Sequence, residues 1–195
     1  MVLIIGITGA TGAIYGIRLL EVLSTIKGVE THLIISEAGE TTIKCETGWT
    51  LKAVKGLATC NYDFKDMGAR LSSGSFQRDG MIIAPCTIKT MSALANSFSD
   101  NLIIRSGDVT LKERKKLVLM VRETPLHIGH LRTMAQLTEM GAIIMPPVPA
   151  FYHHPETIQD IVDHTIGKIL DTMGVAHNLF QRWPGCTAEG ELLDK

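Results

Sequence analysis

The sequence predicts a single α/β domain of three layers, in which helices cover both faces of an open, doubly wound parallel sheet. Short runs of Ile, Val and Leu without polar alternation, typical of strands buried on both faces, alternate with segments of helical periodicity. A glycine-rich segment follows the first apolar run directly, as in the strand–turn–helix units of such sheets. The 195 residues suit one hydrophobic core, which we place in residues 1–186, with a flexible tail at 187–195.

Five parallel strands are predicted from the apolar runs, at residues 2–7, 31–35, 80–84, 116–121 and 142–145. Helical periodicity predicts helices between them, at residues 13–26, 37–45, 51–58, 88–95, 108–114 and 126–140. A last helix is predicted to begin at Pro155, because proline favours the first helical position and the apolar residues after it keep a 3.6-residue period. We expect that helix to pack on the sheet.

Composition excludes several classes of function. The net charge is −1, and Lys and Arg are scattered, so we expect a small-molecule ligand rather than nucleic acid or an anionic membrane surface. No apolar run approaches the ~18 residues needed to cross a bilayer. The chain begins in a predicted strand, without a basic leader or a cleavage site. We therefore expect a soluble, cytoplasmic protein.

The cysteines and histidines show no spacing typical of a metal or redox site. The cysteines are Cys45, Cys60, Cys86 and Cys186. They lie too far apart for a CxxC pair, so we expect reduced and mostly buried thiols. His127 and His130 lie three residues apart and His153 and His154 are adjacent, but no Cys or acid completes a set at local spacing. No metal site is predicted.

The glycine-rich segment at residues 6–16, GITGATGAIYG, predicts a phosphate-binding turn. Small residues at Gly9, Ala10 and Gly12 let the backbone approach a ligand closely. Free N–H groups and the dipole at the start of the following helix favour an anion there, and Thr11 adds a hydroxyl. Nucleotide, flavin and nicotinamide proteins all use such turns, so other residues must identify the ligand.

Polar groups follow the other predicted strands. Ser36 follows the second strand, Thr87 to Thr90 follow the third, and Arg122 and Glu123 follow the fourth. The carboxyl ends of parallel strands meet at one edge of the sheet, where ligands bind. Thr87 is predicted to cap a helix and to create a second anion-binding helix start.

A nicotinamide enzyme of the short-chain dehydrogenase kind is the nearest alternative, because TGATG is similar to its amino-terminal turn. Those enzymes need a Tyr acid with a Lys four residues later, and none of the three tyrosines here has one. The second strand also ends at Ser36 rather than at an acid that would bind an adenosine ribose. Hydride-transfer chemistry of that form is therefore excluded.

Six segments resemble the UbiX-type flavin prenyltransferases: GITGATGAIYG, SSGSF, APCTIKT, DVTLKERKKLVL, RETPLHIGHL and PPVPAFYHHPETI. The resemblance covers residues 2–183. It implies a flavodoxin-like or Rossmann-like sheet that binds reduced FMN and alkylates it with the dimethylallyl group of dimethylallyl phosphate. The product, prenylated FMN, would serve a UbiD-type partner decarboxylase. The resemblance also implies a homo-oligomer, a dodecamer, with sites at subunit boundaries.

The resemblance implies roles for particular residues. Those that match catalytic, proton-handling positions are Glu46, Glu123 and Thr11. Those that match FMN contacts are Gly9, Ala10, Thr11, Ser36, Thr87, Ile88, Lys89, Thr90 and Arg122. Those that match substrate-binding positions are Tyr152 and Lys168 for the prenyl phosphate, Arg105 and Lys112 in the same electropositive region, and Trp183 on the prenyl chain. Many relatives have Ser where this chain has Thr11 and Thr87. No metal is required, because a monophosphate can be handled by protonation and fixed cations.

Two other function classes share this fold and cofactor. One is an FMN-dependent decarboxylase of the cysteine-decarboxylase kind, and the other is a non-catalytic flavin carrier or decarboxylase subunit. Cysteine decarboxylases carry a PASANT-like segment where this chain has PCTIKT at residues 85–90. Turnover of reduced FMN with dimethylallyl phosphate separates the non-catalytic class from the transferase. The sequence leaves open whether the product enters ubiquinone synthesis or aromatic-acid breakdown, and whether the donor is a monophosphate or a diphosphate.

Overall fold

The sheet places its first strand at the point where the strand order reverses. The structure is a computed structural model that describes residues 1–185. Within these residues the sheet has six parallel strands, β1 (Val2–Ile7), β2 (Glu30–Ile35), β3 (Cys60–Tyr62), β4 (Gly80–Cys86), β5 (Lys116–Val121) and β6 (Ala142–Ile144). Their spatial order is β3-β2-β1-β4-β5-β6. This is the order of a Rossmann-like doubly wound sheet, and without the short edge strand β3 it is that of flavodoxin. The predicted fold class is confirmed.

Seven α-helices connect or follow the strands in the described residues: α1 (Ala13–Ser24), α2 (Glu37–Glu46), α3 (Leu51–Gly56), α4 (Ile88–Ala95), α5 (Leu102–Lys112), α6 (Ile128–Glu139) and α7 (Ile158–Met173). Side-chain caps fix where several of them begin. Ser36, Thr87 and Asn101 each accept a hydrogen bond from a first-turn amide of the helix that follows. The predicted cap at Thr87 is confirmed. None of the described helices combines the length and apolar character needed to span a bilayer.

Three elements differ from the sequence-based expectation. Strand β3 was not predicted, because three residues are too few to show a period. Helix α5 begins at Leu102, six residues before the predicted start, because the Asn101 side chain caps it there. Helix α7 begins at Ile158 rather than at Pro155, because Thr157 and Asp160 form a capping box.

The cysteines are less buried than expected. Cys86 is buried, but Cys60 is half-buried and Cys45 is exposed. Cys45 lies near the end of α2, whose buried residues are only Gly39 and Ile43. The expectation of mostly buried thiols was therefore wrong for Cys45, and Cys186 lies outside the described residues.

The chain forms two compact units, Met1–Pro147 and Val148–Lys195. The first contains the sheet and helices α1 to α6. The second contains α7 and is described to residue 185. The tail predicted at residues 187–195 lies outside the described residues, and the single-domain boundary at residue 186 stays a prediction.

Helix α1 lies so close to β4 that only glycine fits at one position. A Cβ on Gly16 would overlap the carbonyl oxygen of Ala84 and lie 2.9 Å from two side-chain carbons of Ile7. All seven residues of β4 are buried, so neither the strand nor its neighbours have room to retreat. Gly16 therefore sets the distance between α1 and the centre of the sheet.

The substitution Gly16→Ala should destabilise the first unit by about 1–3 kcal/mol, because the added methyl meets backbone rather than a movable side chain. The matched control is Gly56→Ala in α3, where a Cβ would meet nothing within 4 Å and the stability change should stay within about 1 kcal/mol. Urea unfolding at equal protein concentration measures both changes. Equal stability of the two variants would contradict the close approach.

Candidate functional site

The loops after β1 and β4 are joined by one hydroxyl group. Thr8 Oγ1 donates to the Pro85 carbonyl over 2.7 Å and accepts from the Thr87 amide over 3.0 Å. The Thr8 amide also donates to Pro85 O, at 3.3 Å. Because Thr8 is buried, these bonds are shielded from water. The bonds hold the carboxyl ends of the two central strands together, where ligands bind in such sheets.

A cavity of about 260 Å³ opens at these strand ends. The predicted FMN-binding residues that line it are Gly9, Ser36, Thr87, Lys89 and Thr90. Residues that were not predicted as FMN contacts also line it, and they are Thr8, Glu37, Ala38, Phe64, Asn101 and Ile104. Thr8 directly follows the first predicted strand and Ala38 lies three residues after the second, so their position was a usable signal. Phe64 and Asn101 lie in connections that carry no such signal.

Two helix starts give this cavity an anion-binding edge. Ser36 Oγ accepts from the Gly39 amide at 3.0 Å, and Thr87 Oγ1 accepts from the Thr90 amide at 3.2 Å. Thr87 Oγ1 also donates to Thr90 Oγ1 at 3.0 Å, so the two hydroxyls lie side by side. Free amides and the helix dipole at such starts favour negative charge. The arrangement is suited to a phosphate group.

The cavity also requires glycine at position 9. A Cβ on Gly9 would overlap the Cβ of Ala38 at the start of α2. The loop after β1 and the start of α2 therefore approach each other as closely as backbones can, with the Thr42 hydroxyl donating to the Gly9 carbonyl at 3.2 Å. The sequence predicts that small residues in this turn let the backbone approach a ligand. In the structure Gly9 allows a close approach to the start of α2, and its approach to a ligand stays a prediction.

The start of α1 holds a carboxylate of the protein itself. Glu46 Oε2 accepts from the Gly12 amide at 2.8 Å, and the Thr11 hydroxyl and the Ala13 amide also bond to that carboxylate. Limited burial alone would raise the pKa of Glu46, but these hydrogen bonds, together with the charge of Arg122, hold it below its usual value. The sequence predicts a phosphate at this helix start, whereas in the structure the Glu46 side chain is the anion there.

Thr11, Glu46 and Arg122 are thus brought together, as the resemblance implies. Arg122 directly follows β5, and its amide donates to the Cys86 carbonyl at 3.2 Å. Glu123 is the next residue, and its Oε1 accepts from the Thr124 amide at 3.1 Å. Both side chains are exposed. The sequence offered no local signal for Glu46, which lies at the end of α2.

Two predicted cations are engaged elsewhere in the first unit. Arg105 Nε donates to the Ser72 carbonyl, and its Nη1 lies 3.1 Å from Asp108 Oδ2. Lys112 ends α5 and pairs with the neighbouring Glu113, close to the start of β5 and so at the opposite edge of the sheet from the cavity. Within one chain the structure does not bring Lys112 to the cavity. The substrate-binding role of both residues stays a prediction.

The other predicted substrate-binding residues lie in the second unit. The Tyr152 hydroxyl lies 2.8 Å from His164 Nε2, and the Tyr152 and Trp183 rings meet edge to face at 5.6 Å between centroids. Lys168 lies one helical turn after His164 on α7. Tyr152, Lys168 and Trp183 therefore share one neighbourhood of that unit.

A separate polar cluster lies on β2 and β3, where Glu30, His32 and Cys60 offer three metal-ligand atoms within 4.8 Å of one another. His32 Nε2 lies 2.9 Å from Glu30 Oε1 without hydrogen-bond alignment, and His32 Nδ1 lies 3.0 Å from the Tyr62 hydroxyl. The Arg70 guanidinium lies 3.8 Å from Glu30 and 3.7 Å from Cys60 Sγ. Arg70 thus places a positive charge beside two of the three ligand atoms.

Comparison with known proteins identifies close relatives. The family model described as Flavoprotein matches residues 1–174. The chain is 57% identical to the flavin prenyltransferase UbiX of Thauera aromatica, over 95% of both chains. It is 52% identical to the flavin prenyltransferase UbiX of Escherichia coli strain K12, over 94% of this chain and 98% of the relative.

Solved structures agree with these relatives. AnUbiX (PadA1), in complex with FMN and dimethylallyl pyrophosphate, has a TM-score of 0.93 at 46% identity, over 95% of this chain and 98% of that one. A dodecameric FMN-dependent UbiX-like decarboxylase from E. coli O157:H7 also has a TM-score of 0.93 at 46% identity, over 95% of this chain and 100% of that one. The cypemycin decarboxylase CypD is 16% identical with a TM-score of 0.62, so it shares the fold alone. The decarboxylase alternative is not favoured.

The substitution Thr11→Val should raise the pKa of Glu46 toward its usual value, because it removes a hydrogen bond that stabilises the charged carboxylate. Thr11→Ser keeps the hydroxyl and should leave the pKa low. Infrared difference spectra of the carboxylate stretch across a pH titration measure the shift, and Glu46→Gln identifies the band. A Glu46 pKa that is the same in the Val and Ser variants would show that the Thr11 bond does not matter.

Proposed function

The chain belongs to the UbiX-type flavin prenyltransferases, and on that basis we propose that its strand-end site joins the dimethylallyl group of dimethylallyl phosphate to N5 and C6 of reduced FMN. The observation that carries the proposal is the group of Thr11, Glu46 and Arg122 at the strand edge that also forms the anion-binding cavity. A carboxylate poised to accept a proton thus shares the sheet edge with a phosphate-binding site. A flavin alkylation requires both.

The residues of the cavity fit FMN. The paired hydroxyls of Thr87 and Thr90, at the start of α4, are suited to its phosphate. Phe64 and Ile104 offer apolar surface of the kind that suits a ring system. When bound and reduced, the flavin supplies the nucleophilic nitrogen and carbon of the reaction. Gly9, Ala10, Ser36, Ile88 and Lys89 are proposed as its further contacts.

Glu46 is proposed as the base of the reaction. The hydrogen bonds that lower its pKa keep the side chain ionised, and an ionised carboxylate has lone pairs that can accept a proton. The Thr11 hydroxyl holds the carboxylate in place. As the bond to C6 forms, C6 loses a proton to Glu46, and this loss balances the proton that the alkene carbon of the dimethylallyl chain gains. The bond to N5 forms as the C–O bond to phosphate breaks, and the proton lost from N5 balances the one that the phosphate takes from Glu123.

The departing phosphate needs positive charge and donors that stabilise it more strongly than the bound ester. Arg122 supplies a guanidinium at the strand edge, and Tyr152 and Lys168 are proposed as further partners. Arg105 and Lys112 are proposed to add positive charge around the departing phosphate. Lys112 can do so only if the Lys112 side chain of a neighbouring subunit reaches the site. Glu123, next to Arg122, is proposed to give the phosphate a proton as the C–O bond breaks. Protonation and fixed cations suffice for a monophosphate, so the proposed step uses no metal.

The prenyl group must be shielded from water while the C–O bond breaks, because an allyl cation reacts with water. Trp183 is proposed to cover it, since an aromatic face also stabilises a passing cation. Trp183 is about half exposed and contacts the Tyr152 ring at its edge. Its indole therefore has free surface that a prenyl chain can cover.

The product is proposed to serve a UbiD-type decarboxylase, as the UbiX name of the relatives suggests. The dodecameric E. coli structure supports a homo-oligomer of the same kind for this chain. The AnUbiX complex contains the pyrophosphate form of the donor, so both donors belong in the test.

Incubation of the protein with reduced FMN and dimethylallyl phosphate should produce a flavin that is heavier by one prenyl unit, detected by mass spectrometry. Dimethylallyl pyrophosphate is run in parallel to establish which donor is used. Oxidised FMN serves as the control, because its ring is not nucleophilic. Recovery of unmodified FMN from both donor reactions would eliminate the transferase function.

The substitution Glu123→Gln should leave FMN binding intact and slow prenylation by roughly 100-fold or more, as expected for loss of a proton donor. Glu139→Gln, at the exposed end of α6, is the matched control and should keep the wild-type rate. Single-turnover rates and FMN affinity are measured for both variants. A wild-type rate in Glu123→Gln would remove Glu123 from the mechanism.

A further inference from the structure

His164 is the partner that fixes the Tyr152 hydroxyl. The phenol oxygen lies 2.8 Å from His164 Nε2, and the two rings meet nearly perpendicular, at 80° and 5.5 Å between centroids. Tyr152 is 39% exposed and His164 is 7% exposed. The hydrogen bond therefore joins a side chain that a ligand can reach to one that is held inside the second unit.

The surroundings of His164 hold its ring still. The His153 ring stacks on it at 4.6 Å and 8°, and the Phe180 ring lies 4.6 Å away at 52°. Phe180 is held close to α7 because Gly167 has no side chain there: a Cβ on Gly167 would overlap the Phe180 ring. Packing between these two rings therefore fixes the orientation of the His164 imidazole toward the Tyr152 hydroxyl.

The charge state of His164 suits a neutral hydrogen-bond partner. Burial lowers the pKa of His164, and the nearby His153 and Lys168 lower it further. Its imidazole is therefore neutral at neutral pH, with one ring nitrogen as donor and the other as acceptor. Positive charge in this neighbourhood comes from Lys168, one helical turn away on α7, and from Arg182, which pairs with Asp171 and lies 5.6 Å from the Phe180 ring.

A phenol hydroxyl has a single proton to give. If Tyr152 donated that proton to His164, a phosphate oxygen would meet only the lone pairs of the phenol. If His164 Nε2–H donates to the phenol oxygen, the Tyr152 proton is free for an anion. An anionic ligand at Tyr152 thus selects the Nε2–H tautomer of His164.

We propose that His164 is a positioning residue for the prenyl donor: it holds the Tyr152 hydroxyl by donating Nε2–H and leaves the phenol proton to the donor's phosphate. The inference deepens the proposed function, in which Tyr152 and Lys168 bind that phosphate. His164 acts through Tyr152 and does not itself contact the substrate.

The test measures binding apart from turnover. The affinity for dimethylallyl phosphate is measured by calorimetry on the full chain loaded with oxidised FMN, which does not react. His164→Leu should weaken this affinity roughly 3- to 10-fold, the effect of one lost hydrogen bond. His164→Gln keeps an N–H donor of similar reach and should restore most of the affinity. FMN affinity should be unchanged in both variants.

A double-mutant cycle with Tyr152→Phe isolates the pair. If His164 acts only through the phenol, His164→Leu combined with Tyr152→Phe should add no further loss to that of Tyr152→Phe alone. Gln159→Leu, an exposed position on the same helix, is the matched control for the apolar substitution. Thermal unfolding of every variant shows whether the second unit remains folded.

Three results would overturn the inference: unchanged affinity in folded His164→Leu, no recovery in His164→Gln, or losses that multiply in the double variant. The prenylation assay distinguishes failure of the proposed function from failure of this inference. If reduced FMN stays unmodified while the coupling between Tyr152 and His164 persists in the calorimetry, the transferase proposal falls and the positioning role stands.

Discussion

The site depends on a buried hydroxyl at the switch point of the sheet. Thr8 Oγ1 bonds at once to the Pro85 carbonyl and to the Thr87 amide, so it ties together loops that lie almost eighty residues apart in the chain. The end of β4 then fixes where α4 begins, and with it the side-by-side hydroxyls of Thr87 and Thr90. Leaving the buried partners of such a group unsatisfied costs more than the bond itself contributes. The anion-binding edge therefore depends on the hydrogen bonds of Thr8, which hold the start of α4 in place.

The Glu46 carboxylate occupies the anion-binding start of α1 and so distinguishes it from the other helix starts at this edge. The starts of α1, α2 and α4 could each bind an anion, but a carboxylate of the protein already bonds to the amides at the start of α1. The helix starts that remain for a ligand phosphate are those of α2 and α4, and the proposed base, Glu46, lies at the start of α1. The same amides that a nucleotide-binding protein uses for phosphate here hold the Glu46 carboxylate in its charged form. A glycine-rich turn after the first strand consequently indicates which edge of the sheet binds a ligand, but it does not indicate which ligand binds there.

Long apolar runs made the sheet predictable, because strands buried on both faces leave an unmistakable pattern of Ile, Val and Leu. The edge strand β3 and the first half of α5 were missed, since one is three residues long and the other depends on the Asn101 cap. Ser36 and Thr87 were readable from their places after predicted strands. Glu46 was identified only through the family resemblance, because its role arises from a contact with Gly12 across 34 residues of sequence. No pattern in the sequence pointed to His164, whose role depends on a tertiary contact with Tyr152.

Threonine at positions 11 and 87 supplies the hydroxyls of three hydrogen bonds at this edge of the sheet. The Thr11 hydroxyl bonds to Glu46, and the Thr87 hydroxyl both caps α4 and donates to Thr90. A β-branched side chain has fewer accessible χ1 rotamers than serine, so each hydroxyl loses less conformational freedom when its bond forms. Thr11 is exposed, and its methyl therefore displaces no core atom. The threonine methyls therefore restrict the rotation of two side chains at the site while both hydroxyls remain available for hydrogen bonds.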